Sequence, residues 1–251
     1  MVNNILKNRK IAQPIVRFCK LCIINYALCI MLFSCVKYEA DPFTGKTLPR
    51  RTGYATGVTN DWMYFNLETG EIFNKTKPSQ DIKEGEQKNR TDWDLAFCGY
   101  ALRTNSGTSG KGLGGAMDLG KIDYYSIKSL SDLPSGAKWL VDNDSTVVVT
   151  MSQNDWNKYL IDQGITDFNE YPWFDPNEGP QRILTSANPV LSLAIDMSGP
   201  PMTYTPSYHV YVVRSADGMR YYKLHIVSWF HGDVIIGDEG GRISYYLDEL
   251  K

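Results

Sequence analysis

The chain reads as an all-β protein: one mostly antiparallel domain of short strands joined by long loops. Three observations carry that reading. Sixteen Tyr and six Trp, together with β-branched runs such as Ser145–Met151, suit pleated, half-buried surfaces. Twenty-one Gly and twelve Pro supply the turns that such a fold needs. No long helical periodicity and no internal repeat is evident across the 251 residues. With 26 basic and 28 acidic side chains, the net charge of −2 gives no reason to expect nucleic acid or an acidic membrane surface as a partner.

The N-terminus reads as a targeting segment. Lys7, Arg9, Lys10, Arg17 and Lys20 precede an apolar run, Leu21–Phe33, that is too short for a comfortable membrane span. The run ends in Leu32-Phe33-Ser34-Cys35, which resembles a bacterial lipobox. Residues 1–34 are therefore expected to be a lipoprotein signal peptide, with Cys35 lipidated and first in the mature chain. Lipid at Cys35 would anchor the protein to a membrane without spanning it. Cys19, Cys22 and Cys29 leave with the signal, so Cys98 alone remains and no intrachain disulfide can form. Cys98 lies in an apolar run and is expected to be a buried structural thiol. Residues 35–60, rich in Gly, Pro and Thr, read as a tether, and 61–251 as the folded domain.

Within that domain, Asp61–Phe73 reads as a hairpin around a Glu-Thr-Gly turn, and Asn74–Arg90 as a charged, solvated loop with room for a short helix. Thr91–Ala101 returns to an apolar strand. Leu102–Ala116 follows, with five glycines among the nine residues Gly107–Gly115. A phosphate-cradling loop fails on detail: two residues, not four, separate Gly107 from Gly110, and Gly112 rather than Ser or Thr follows Lys111. A tightly wound structural loop, or one lining a cleft, fits better. Lys121–Ile127, Lys138–Val141 and Ser145–Met151 read as strands, and Asn154–Ile165 as a helical turn or two. Asp167–Gln181 reads as an irregular loop. Arg182–Leu184, Val190–Met197, Tyr208–Val213, Arg220–Val227, Val234–Ile236 and Arg242–Leu247 read as further strands, with a hairpin turn at Ser215–Gly218.

One break stands out. Ser198-Gly199-Pro200-Pro201 interrupts two apolar runs, with Met197 on one side and Met202 on the other. Methionine usually packs in a core, but at a strand-to-loop corner its thioether can point into a cleft and ligate a soft metal or haem iron.

Four segments resemble the HmuY family of bacterial haem-binding lipoproteins, or haemophores. They are Trp62–Ile72 with Tyr64-Phe65 and Thr69-Gly70-Glu71; Asp92-Trp93-Asp94-Leu95-Ala96; the run Arg103–Ala116, the most specific piece; and Val210–Gly218, VYVVRSADG. They occur in the family's order. The resemblance implies an all-β fold without catalytic chemistry, in which long loops form a ligand cleft. It implies haem b as cargo, clamped by one axial side chain from each of two loops, two histidines in some members and two methionines in others. Counting back from Arg214 in the matched hairpin, the second ligand position falls on Met197. At the first, Ser152–Trp156 offers no His, and Met151 matches the methionine-type position at the strand end, with Met202 as the back-up ligand. The resemblance further implies an exported, outer-membrane lipoprotein at the cell surface or shed from it. Host haem proteins would be its haem source, and a TonB-dependent outer-membrane receptor would take the haem onward.

The histidines agree with that choice. His209, His225 and His231 all fall late in the chain, so an early-loop histidine ligand is missing. Trp156, Tyr159, Tyr204 and Tyr208 are candidates for contact with a flat apolar ligand, by position alone. Enzymatic alternatives find little support: there is no nucleophile elbow, and Asp92 and Asp94 share a strand face, where Asp94 suits a strand-end hydrogen-bonding role. The serious alternative is a surface glycan- or protein-binding lipoprotein on the same scaffold, using its tryptophans as stacking platforms.

Overall fold

A computed structural model describes residues 43–49, 62–136, 138–177, 179–198, 203–229 and 241–251. The signal segment, Cys35, most of the tether, Met202, His231 and Val234–Ile236 lie outside the described residues.

Two antiparallel sheets face each other. The first has five strands: β1 (Lys46–Thr47), β15 (Ser244–Leu250), β14 (Tyr221–Ser228), β13 (Val210–Arg214) and β6 (Gly115–Asp118), in that spatial order. The second has four: β3 (Ile72–Phe73), β2 (Met63–Phe65), β4 (Leu95–Cys98) and β5 (Ala101–Thr104). Met63, Phe65, Leu95, Phe97 and Leu102 of the second sheet share one buried cluster with Tyr211, Val213, Leu224, Ile226 and Tyr245 of the first. The Phe97 and Tyr245 rings, 5.7 Å apart, mark where the two layers touch. This is sandwich packing, with alternate side chains of each strand turned inward.

The outward face of the second sheet is also covered. Trp62, Tyr64, Trp93, Ala96 and Cys98 form a further buried cluster with Ile82. Residues 74–90 supply the cover through the buried Asn74, Ile82 and Gln87, while their charged side chains from Lys75 to Lys88 stay exposed as a solvated loop that holds a turn of 3₁₀ helix at Glu86–Asn89. Asn74 is the staple: its Nδ2 donates to Trp62 O (2.9 Å) and Ile82 O (2.8 Å), and its Oδ1 accepts from the Asp81 and Ile82 amides. Those bonds hold Asn74 at a φ of 56°, a left-handed conformation that Asn tolerates.

Three two-stranded ribbons complete the fold. β7 (Asn143–Thr150) pairs with β10 (Arg182–Ala187), and β11 (Ile195–Ser198) with β12 (Thr203–Pro206). A small hairpin of β8 (Phe174–Asp175) and β9 (Gly179–Pro180) lies between β7 and β10 in sequence, as does the helix α1 (Gln153–Asp162). Ser152 caps α1, its Oγ accepting from the Asp155 amide at 3.2 Å.

Several local expectations change. Lys46–Thr47, within the stretch read as a tether, pairs with β15, and Leu48 is buried beside them. The strand expected at Lys121–Ile127 is instead a turn of 3₁₀ helix at Tyr124–Ser126. Asp123 accepts from the Tyr125 amide, while the buried Lys223 Nζ donates to Tyr124 O (3.0 Å) and Ile127 O (2.9 Å). Carbonyls committed to an ammonium cannot join a ladder. Lys138–Val141 contributes only an isolated bridge, Leu140 to Ala116. The front of Val190–Met197 is 3₁₀ helix, because Asn188 Oδ1 accepts from the Val190 and Leu191 amides.

Candidate functional site

The glycine run is a structural socket. Asn105 is fully buried; its Nδ2 donates to Arg90 O (3.0 Å) and Trp93 O (2.8 Å), and its Oδ1 accepts from the Gly112 amide at 3.0 Å. A Cβ on Gly110 would collide with Asn105 Oδ1, and one on Gly112 or Gly114 would sit 2.6 or 2.7 Å from Asn105 O. The run winds so tightly around Asn105 that side chains are excluded, which explains the glycines without any ligand. Asp94 fills the hydrogen-bonding role its position suggests. Its Oδ2 accepts from the Leu67 amide and its Oδ1 from the Ala216 amide, both at 2.7 Å, fastening two hairpins together. Burial pushes its carboxyl above the usual range, against the pull of those two amides.

From this framework the β7–β10 ribbon projects as an arm. Two buried groups hold its root. Asp142, just before β7, accepts from the Thr104 amide (2.9 Å), Thr104 Oγ1 (2.5 Å) and Asn188 Nδ2 (3.1 Å). Burial pushes its carboxyl up to about 6. Arg103 of β5 reaches the β10 side. Its Nε donates to Ser186 O (2.5 Å), Nη2 to Thr185 Oγ1 (3.1 Å), and both Nη atoms to Glu84 at 2.9 Å, with the guanidinium 3.8 Å over the Trp62 ring.

The far end of the arm carries Met151. It follows β7, its amide donates to Gln181 O (3.2 Å), and its carbonyl accepts from Trp173 Nε1 (2.7 Å). Its side chain is 4% exposed in an apolar cluster with Trp156 and Leu160, against which Tyr159, Ile165, Phe168, Trp173 and Ile183 pack. Trp156 Nε1 donates to Tyr171 O (2.8 Å), so Trp156 serves here as the core of the α1 lobe. Tyr159 stacks on it at 5.5 Å.

Met197 lies on the other ribbon. Its backbone sits in β11 opposite Tyr204 of β12. Tyr204 stacks on Trp229 at 4.4 Å and 11°, and Tyr100 joins the group at 6.2 Å. The ribbon is thus rooted on the sandwich core by aromatic rings. The Met197 side chain and Met202 lie outside the described residues. Met151 and Met197 thus stand on two separate ribbons.

The remaining candidates divide cleanly. His209 Nδ1 contacts both Asp118 oxygens (2.9 and 3.1 Å), and His225 Nδ1 bonds to His209 O (3.1 Å). Tyr208 is 47% exposed and held at a φ of 57° between strands, the one aromatic candidate that faces solvent. All six tryptophans are described, and none is exposed: Trp62, Trp93, Trp156 and Trp229 are buried, Trp139 and Trp173 partly so. Arg103 and Asp142 were not singled out from sequence as site-forming. Arg103 is flanked by Leu102 and Thr104 in a strand, but nothing local foretells that Glu84 would meet it.

Comparison with known proteins adds the family. No curated protein matches the sequence. Among solved structures, a lipoprotein of Bacteroides fragilis is 20% identical, with 74% of this chain and 82% of that chain covered and a TM-score of 0.45. An apo HmuY analog of Tannerella forsythia is 19% identical (76% and 90% covered, TM-score 0.48). A protein of Bacteroides vulgatus described as HmuY-like and heme-binding is 18% identical (74% and 82% covered, TM-score 0.46). The family model described as HmuY protein matches residues 58–246, which contain all three ribbons, the glycine socket and nearly all of both sheets. The chain belongs to the HmuY family.

Proposed function

We propose that this protein is a haem-binding lipoprotein that captures haem b as cargo between its β7–β10 and β11–β12 ribbons, with Met151 and Met197 as axial ligands. Membership of the HmuY family is the observation that carries the proposal. The placement of the two methionines on different ribbons supports it, since a clamp needs one donor from each side. Two thioethers are soft, neutral ligands, so they favour ferrous over ferric haem and do not titrate across the physiological range.

Met151 is buried in the α1 lobe, so its sulfur must leave that cluster for ligation. Methionine, unbranched and with three rotatable bonds, suits such an exchange. The glycan-platform alternative would need exposed indoles, and the six in this chain are buried or partly buried. In the full proposal residues 1–34 are removed, Cys35 carries lipid, residues 35–60 lead to the folded domain, and the protein works at the outer-membrane surface or is shed from it. It takes haem from host haem proteins and hands it to a TonB-dependent receptor. No step in this cycle needs catalysis by the chain.

The test is a haem titration of the purified protein, oxidised and dithionite-reduced. A low-spin bis-thioether spectrum, tighter binding on reduction and loss of the spectrum in Met197→Leu and Met151→Leu are expected. Equal affinity for both oxidation states refutes thioether ligation, and loss in Met202→Leu with retention in Met151→Leu reassigns the partner of Met197.

A further inference from the structure

The Asp142 carboxyl sits where three parts of the framework meet: the end of β5, the start of β7 and the end of β10. Every side chain facing it is neutral. Thr104 and Ser106 come from β5 and the residues after it, Ser109 from the glycine run, and Asn188 from just beyond β10. The charged side chains of the same elements are spent elsewhere. Arg103 is committed to Glu84 and β10, Asp94 to the Leu67 and Ala216 amides, and Asp144, Arg182 and Lys111 are exposed. The backbone of Asp142 is seated equally closely: its carbonyl accepts from the Thr108 amide (3.1 Å), and Gly107, at a φ of 53°, leaves no room for a Cβ beside that carbonyl.

An ionised carboxylate in a water-excluded site without a cation is penalised by desolvation, even with several donors aimed at it. The penalty vanishes when the root opens and water returns.

We propose that Asp142 is a protonation-gated latch at the root of the arm that carries Met151: protonated, it keeps the root seated, and ionised, it lets the root open. The latch rests on the haem-capture reading only for its purpose, which is to make the ribbon that delivers Met151 easier to displace at neutral than at acidic pH. The sign follows from the raised carboxyl. The seated root takes up a proton more readily than the open one, so seating is favoured fully below the ordinary carboxylate range and is lost as pH rises through about 6.

Amide hydrogen exchange on the chain without haem reads the arm directly. Peptides covering 143–150 and 182–187 are followed from about pH 5 to about pH 8, corrected for the pH dependence of chemical exchange. Opening of the arm is expected to rise about tenfold over that range, the rest of a roughly hundredfold total falling below about pH 5. Asp142→Asn is expected to abolish the rise, and β13 and β14 to show none. A pH-independent arm in the wild type, or the same rise in Asp142→Asn, overturns the latch. Should Asp142→Asn fail to fold, a carboxyl-carbon NMR titration of the wild type decides. A midpoint near 6 supports the latch, and one in the ordinary carboxylate range overturns it. Haem binding is measured separately: a gated arm in a chain that takes up no haem refutes the haem reading alone, and haem uptake by an ungated arm refutes the latch alone.

Discussion

Replacing Arg103 by methionine should destabilise the protein by about 4 kcal/mol. Arg103 is 1% exposed by its side chain, whereas Glu84 is 33% exposed. Removing one partner of a buried pair costs about 3–5 kcal/mol, and the low end applies because water can still reach Glu84. Ser186 O then loses the Arg103 Nε donor, a further cost of about 1 kcal/mol. Methionine keeps contact with the Trp62 ring, so little packing energy is lost there. Glu84→Gln should cost about 2–3 kcal/mol, because it leaves a guanidinium buried with weaker acceptors. The double variant should cost less than the two together, with a coupling of about 1–3 kcal/mol. Urea unfolding followed by circular dichroism measures all three, read as midpoint shifts at constant slope. A loss below about 1 kcal/mol in Arg103→Met, or strict additivity, would refute the idea that this pair fastens β10 to the framework.

Other outcomes follow from the same structure. In Gly110→Ala the new methyl group meets Asn105 Oδ1, and displacing that side chain breaks its bonds to Arg90 O and Trp93 O; a loss of more than about 2 kcal/mol by thermal unfolding is expected. Asp94→Asn keeps an acceptor for only one of the Leu67 and Ala216 amides and turns an NH2 toward the other, and should cost about 1–3 kcal/mol in urea. For Asp142, whose folded-state carboxyl is raised to about 6, the stabilising contribution is complete below the ordinary carboxylate range and is lost as pH rises through that value. The stability of Asp142→Asn relative to wild type should therefore improve by about 1.4 kcal/mol between about pH 5 and about pH 8, the rest of a total of roughly 3 kcal/mol falling below about pH 5. No change in the difference across that range would contradict it.

Much of the framework was legible because its signals are local. The turn at Ser215–Gly218 needs a residue at positive φ, and Gly218 supplies it at 76°. The β-branched run at 145–150 falls within β7 and reaches its end. The strands flanking the glycine run were not legible. Residues 101–104 carry Arg103 and Thr104 at positions that burial makes internal, and only the distant Glu84 and Asp142 make such burial tolerable. Residues 121–127 have the composition of a strand, yet Lys223, about a hundred positions later, takes two of their carbonyls. The break at 198–201 pointed to Met197 and Met202, but Met151 and its pairing with Met197 came from resemblance, not from pattern. A methionine in a core and a methionine at a cleft look alike in sequence, and Met151 in this structure is packed as a core residue is.

Everything proposed about the cargo turns on two sulfur atoms, and the absorption spectrum of the dithionite-reduced protein with one equivalent of haem interrogates them most directly. The expected result is a low-spin spectrum that disappears when either Met151 or Met197 becomes leucine, a change that keeps apolar volume and removes only the thioether. A spectrum unchanged in both variants, or no haem spectrum in the wild type, would contradict it.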